Sequence, residues 1–119
     1  MDHRKIIYPE SLNDQGSLFG GNLLKWVDEF AYITASLDFP GNRFVTIALD
    51  DVEFKYPIKE SEILRFSVEQ IKHGNTSVNY HVKVFGEKLA PKDQVLFETG
   101  IVFVNVDEHG NKQPIKIKQ

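Results

Sequence analysis

The chain has 119 residues and a formal net charge of −3, with 14 Lys and Arg against 17 Asp and Glu. That length suits one domain, residues 1–119, around one core, and the mixed charges leave no basic field for nucleic acid. Cysteine is absent, which excludes disulfides and thiolate metal sites.

The first segment, MDHRKIIYPE, has no apolar signal core, and no later run approaches membrane-spanning length. A cytoplasmic protein without a membrane partner is therefore expected. Residues 4–8 (RKIIY) read as a short strand stopped by Pro9. PESLNDQG is loop chemistry, rich in Pro, Ser, Asn, Asp and Gly. A helix follows over residues 20–37. Leu23, Leu24, Val27, Phe30, Ala31, Thr34 and Ala35 recur at three- and four-residue steps and make one apolar stripe. Pro40 and Gly41 end it. Residues 43–56, 61–73, 76–87 and 94–107 read as strands, with a tight positive-φ turn expected at Gly74–Asn75 and a longer one over 88–93. The tail NKQPIKIKQ reads as a fraying end. One long helix followed mainly by antiparallel strands gives an α+β architecture. One helix cannot cover a sheet of five or six strands, so an uncovered edge is expected to drive dimerisation.

The helix carries two unusual features. On a wheel of ~100° per residue, Asp28 falls on the flank of the apolar arc, beside Leu24 and Ala35, at the edge of the core. Glu29 and Lys25 lie on the opposite face, where they read as solvated charges. Gly20 and Gly21 open the helix, although glycine costs about 1 kcal/mol relative to alanine inside one. Such a pair suggests that backbone approaches something closely. The first turn also offers free N–H groups at the positive end of the dipole, which suits a carbonyl oxygen or an anion. Gly20 and Asp28 are eight positions apart, about 12 Å along a helix axis. They cannot serve one atom within one chain. Two antiparallel helices across a two-fold axis would bring Gly20 of one subunit to Asp28 of the other.

These residues carry a resemblance. PESLNDQGSLFGGNLLKWVDEFA resembles the stretch leading into the helix of hotdog-fold acyl-CoA thioesterases, specifically the cytosolic acyl-CoA hydrolase (YciA-like) group. The matching positions are Pro9, Asn13, Gly16, Phe19, Gly20, Gly21 and Asp28. VEFKYPI (52–58) and GNTSVNYHVKV (74–84) resemble that family's strand and CoA-side hairpin. The family's frequent acid two positions before the Asn is Ser11 here. The resemblance implies a hotdog fold, a long helix wrapped by a five- to six-stranded antiparallel sheet. It implies a homodimer, often built into a trimer of dimers, and hydrolysis of acyl-CoA to free acid and CoA. Asp28 then matches the catalytic acid, and Asn13 the amide that works with the partner's acid. Gly20 and Gly21 match the amides that hold the thioester oxygen. Gly74, Thr76 and Ser77 match the hairpin along the CoA. No separate cofactor is implied, because CoA is part of the substrate.

In chemical terms, the glycine amides would polarise the carbonyl, and Asp28 would activate water or attack directly. Two other functions compete. One is a non-catalytic module that binds acyl-CoA or an acyl carrier protein. The other is a hotdog dehydratase, disfavoured because no His lies in the helix or the loop before it. His3, His73, His81 and His109 show no metal-ligand spacing, and no metal site is expected. His81 falls on the polar side of its strand and is expected to be solvated, as are Arg43, Lys55 and Lys72. No G-x-S-x-G elbow is present. Trp26 reads as a packing residue.

Overall fold

The computed structural model describes residues 1–117. In chain order it has β1 (Asp2–Ile6), a 3₁₀ turn (Pro9–Ser11), α1 (Gly20–Asp38), β2 (Phe44–Phe54), β3 (Ile63–His73), β4 (Ser77–Gly86) and β5 (Val95–Asn105). The five strands form one antiparallel sheet in the order β1-β3-β4-β5-β2. The helix lies against one face of that sheet, which is the hotdog arrangement.

The helix forms because its apolar residues share one face. Leu23, Trp26, Val27, Ala31, Thr34 and Ala35 are buried along it. Asp28 is half-buried, whereas Lys25 and Glu29 face solvent. The alternating strands supply the other half of the core. In β4, Val78, Tyr80, Val82 and Val84 point inward, and in β5 Phe97, Ile101 and Phe103 do so. The opposite face is polar and carries ion pairs such as Arg65–Glu87 and Lys55–Glu98.

β3, β4 and β5 pair in sequence order, through a short turn at 74–76 and a longer one at 87–94. β2 does not pair with its sequence neighbour β3. It lies beyond β5, so residues 55–62 cross from one side of the sheet to the other. Among the described residues, one margin of β2 therefore has no strand beside it, and Val45, Ile47, Val52 and Phe54 are 41–55% exposed.

The structure differs from the sequence reading at strand ends, by up to two residues in β1, β2, β3 and β5, and in one turn and the tail. β1 begins two residues earlier than expected, because the N-terminal amine donates to the Val68 carbonyl (2.7 Å) and Asp2 already aligns with Ser67. The Gly74 turn closes through Gly74 N–H to the Ser77 carbonyl (2.8 Å) without a left-handed residue. The tail does not fray over residues 111–117. Ile115 is buried and its N–H reaches the Asn75 carbonyl (2.8 Å), while the Asn42 side chain bonds the Lys116 backbone in both directions. Buried Asn105 holds that segment, donating from Nδ2 to the Pro114 carbonyl (2.9 Å). Residues 118–119 of the expected fraying end lie outside the described residues.

Glu62 had no signal in the sequence, yet it is only 3% exposed. It accepts hydrogen bonds from the backbone N–H groups of Ile63, Lys88, Leu89 and Ala90. Burial alone would raise its pKa. The four amides outweigh that and hold the carboxyl below the ordinary glutamate value.

Candidate active site

The loop before the helix is built around Asn13. Its Oδ1 accepts from Gln15 N–H (2.9 Å) and Ser17 N–H (3.1 Å), and its own N–H reaches the Ser17 carbonyl (2.7 Å). This is the local side-chain closure that Asn favours in turns. It consumes the carbonyl end of the amide. The Nδ2 end has no partner among the described residues, so a donor is what Asn13 can offer.

The loop is then fastened to the helix start. Phe19 N–H and Asn22 Nδ2 both donate to the Ser11 carbonyl (3.0 Å each). Phe19 is the N-cap and provides no side-chain cap. Asn22 and Leu23 N–H turn back to the Phe19 carbonyl. Gly20 and Gly21 N–H have no acceptor among the described residues, as the geometry of a first helical turn dictates. The glycines also have a packing reason. A Cβ on Gly20 would sit 3.1 Å from the Phe54 ring, and one on Gly21 would sit 2.9 Å from the Phe19 ring.

Asp28 is held by a residue that sequence reasoning missed. Thr46, on β2, donates its hydroxyl to Asp28 Oδ1 at 2.6 Å. Oδ1 is therefore fixed, while Oδ2 has no partner among the described residues. Nothing local in the sequence marks Thr46, because the bond spans 18 residues and depends on where β2 passes the helix.

Within one chain these groups do not converge. Asn13, Gly20 and Gly21 cluster at the helix start, and Asp28 lies eight residues along α1, about 12 Å away. Gly74, Thr76 and Ser77 sit at the other end of the helix, where His73 packs edge-on against Phe39, the helix C-cap (5.2 Å). Asp28 to Phe39 is eleven positions, about 16 Å along the axis. Thr76 lends its carbonyl to Asn105 N–H (2.8 Å), Gly74 is exposed, and Thr76 and Ser77 are half-buried.

His81 is not simply solvated. Its Nε2 lies 2.7 Å from Glu98 Oε1, and Lys55 Nζ lies 3.3 Å from Glu98 Oε2. The His81 hydrogen bond, aided by Lys55, holds the Glu98 carboxyl below its usual value. His3, absent from the loop and helix in sequence, is brought to the helix by β1. It stacks on Phe30 (4.8 Å) with Nε2 2.9 Å from Thr34 Oγ1. The Thr34 hydroxyl also lies 2.9 Å from the Phe30 carbonyl one helical turn back. Among the described residues no cluster of His, Cys, Asp and Glu is placed to hold a metal ion, and no helix is long and apolar enough to cross a membrane.

A family model described as Thioesterase superfamily matches residues 15–90, a span that holds Gly20, Gly21, Asp28, Thr46 and the Gly74–Ser77 hairpin. The chain belongs to this superfamily. Relatives of this thioesterase-superfamily chain include the Bacillus subtilis protein YkhA, named as an uncharacterized acyl-CoA thioester hydrolase. It is 32% identical over 92% of this chain and 63% of its own length. The VdlD protein of Helicobacter pylori is 32% identical over 74% of this chain and 50% of its own length. The chain thus spans between half and two thirds of the length of these two relatives. Among solved structures, a hexameric hotdog-fold thioesterase of Campylobacter jejuni superposes with a TM-score of 0.82 at 28% identity, covering 96% of this chain and 88% of that one. An acyl-CoA hydrolase of Bacillus cereus superposes with a TM-score of 0.86 at 29% identity, covering 98% and 71%.

Proposed function

We propose that residues 1–119 form one hotdog domain that hydrolyses acyl-CoA thioesters in the cytoplasm, with its active site shared across a homodimer. The observation that carries this reading is a single helix with two unspent functions. It opens with the N–H groups of Gly20 and Gly21, unpaired among the described residues, and eight residues on it carries Asp28, pinned through one oxygen by Thr46.

Each step needs one of these groups. The thioester carbonyl oxygen accepts from the Gly20 and Gly21 amides of one subunit, whose helix dipole favours the developing negative charge. Asp28 Oδ2 of the other subunit takes a proton from water as the water oxygen attacks the carbonyl carbon. The tetrahedral intermediate collapses, the C–S bond breaks, and CoA leaves as a thiolate that is then protonated. The products are the free acid and CoA. Asn13, with Oδ1 already committed to its own loop, donates from Nδ2 to orient the water or the acid. Gly74, Thr76 and Ser77 lie along the CoA beyond the pantetheine, at a distance from Asp28 suited to that arm. No separate cofactor takes part.

The second subunit is a copy of this chain. The open margin of β2 offers unpaired backbone groups and exposed Val45, Ile47 and Val52, which a second β2 would cover while completing the site. A trimer of such dimers is the proposed full assembly, in keeping with the hexameric thioesterase of Campylobacter jejuni. Sedimentation at micromolar concentration is expected to give a dimer or a multiple of it; a monomer that still turns over substrate would overturn the shared site.

Thiol release from a panel of acyl-CoA thioesters tests the activity, and no release at any chain length refutes it. Thr46→Val tests the positioning of the acid. The variant loses one hydrogen bond of about 1 kcal/mol and is expected to lower kcat about fivefold while KM stays nearly constant. A change confined to KM would remove Thr46 from the mechanism.

A further inference from the structure

We propose that Phe54 is a specificity-determining residue whose ring limits the length of the acyl chain; this rests on the thioesterase reading above. Phe54 is the last residue of β2 and is 52% exposed, at the end of the strand's open margin. Its ring is not loose. It leans on fully buried Phe97, with ring centroids 5.1 Å apart, and its far edge lies where a side chain at position 20 would begin. A Cβ at position 20 would stand 3.1 Å from Cζ and 3.3 Å from Cε1 of the ring. The ring is therefore immediately beside the amide that would hold the thioester oxygen.

A cleft of about 330 Å³ opens at the same point, lined by Leu18, Gly20, Leu23, Phe54, Tyr56 and Ile58 among others. Leu18, Leu23 and Ile58 give this wall an apolar floor, and Lys55 adds a charged group to its lining. The apolar part of that lining, with the Phe54 ring, suits the first carbons of an alkyl chain. The volume is at the low end of the roughly 300–1,000 Å³ typical of small-molecule sites. A chain leaving a carbonyl held at Gly20 meets the Phe54 ring within its first carbons. The substrate class is accordingly short-chain acyl-CoA, with Phe54 as the stop.

The test separates this from the activity itself by measuring binding as well as turnover. Phe54→Ala and the milder Phe54→Leu are compared with the wild type. The binding probes are non-hydrolysable S-alkyl-CoA thioethers of two to sixteen carbons, together with free CoA, followed by calorimetry. Turnover uses the matching acyl-CoA series. The wild type is expected to lose affinity beyond short chains. Phe54→Ala is expected to raise the long-to-short ratio about tenfold or more, the scale on which an apolar pocket discriminates methylenes, and Phe54→Leu to fall between. Turnover should follow the same order. An unchanged chain-length profile overturns the proposal. So does an equal loss across every length including free CoA, which would place the ring against the pantetheine. Binding that shifts as expected with no turnover in the wild type would support Phe54 and refute the hydrolase.

Discussion

Asp28→Asn is expected to fold normally and to lose turnover by about 10²–10⁴-fold, the range for removing a positioned general base. The substitution is nearly isosteric. The amide oxygen of Asn still accepts from Thr46 Oγ1, so the contact that fixes the side chain survives. What disappears is the free carboxylate oxygen that takes the proton. KM for acyl-CoA should change little, since the glycine amides and the hairpin remain. Thiol release and thermal melting on the same preparation decide the matter, and a folded variant with wild-type turnover removes Asp28 from the chemistry. The shared site adds a sharper expectation. Asp28→Asn mixed with Asn13→Ala should regain activity on subunit exchange, because one of the two sites in a mixed dimer then holds both intact residues. Two inactive variants that stay inactive after proven exchange would show that each chain serves its own site.

Glu62→Gln is expected to give the largest loss of stability, about 3 kcal/mol, the upper range for buried donors left without acceptors. The side chain fills a nest of four backbone N–H groups that holds the 88–90 turn against the start of β3. Glutamine keeps the shape, but its NH₂ would face N–H groups instead of accepting from them. A fall in Tm of about 10 °C would follow for a domain of this size. The pH dependence has a defined sign. The folded pKa is lowered from an ordinary 4.5, so the unfolded chain binds the proton more readily. This contribution is complete above pH 4.5 and is lost as pH falls through the lower, folded value. Wild type should therefore lose stability in acid more steeply than Glu62→Gln. Parallel acid profiles for the two would mean that Glu62 contributes no ionisation-linked stability.

How much of this was legible beforehand differs by residue. The helix was readable because its burial repeats every three or four positions, and the structure gives Gly20–Asp38 against an expected 20–37. β4 was readable because Val78, Tyr80, Val82 and Val84 alternate with polar residues. Asp28 and the glycine pair stood out because each is a poor choice for a helix that only packs. The glycines turned out to have a packing reason as well, since a Cβ at either would crowd the Phe54 or Phe19 ring. Thr46, Glu62 and the His81–Glu98 pair were invisible. Each is an ordinary polar residue whose role depends on a partner 17–28 positions away.

By itself, then, the sequence determined the elements, the inward faces and the helix that bears the candidate chemistry. Those are local properties, set by side-chain period, turn residues and backbone freedom over a few positions. Only the tertiary structure decided that β2 leaves its neighbour β3 and crosses to the far side of β5. That placement creates the open margin, swings Thr46 onto Asp28 and lays Phe54 over Gly20. Strand order is a long-range choice among pairings of similar local quality, settled by which arrangement lets one helix cover the apolar face. No window of neighbouring residues contains that comparison.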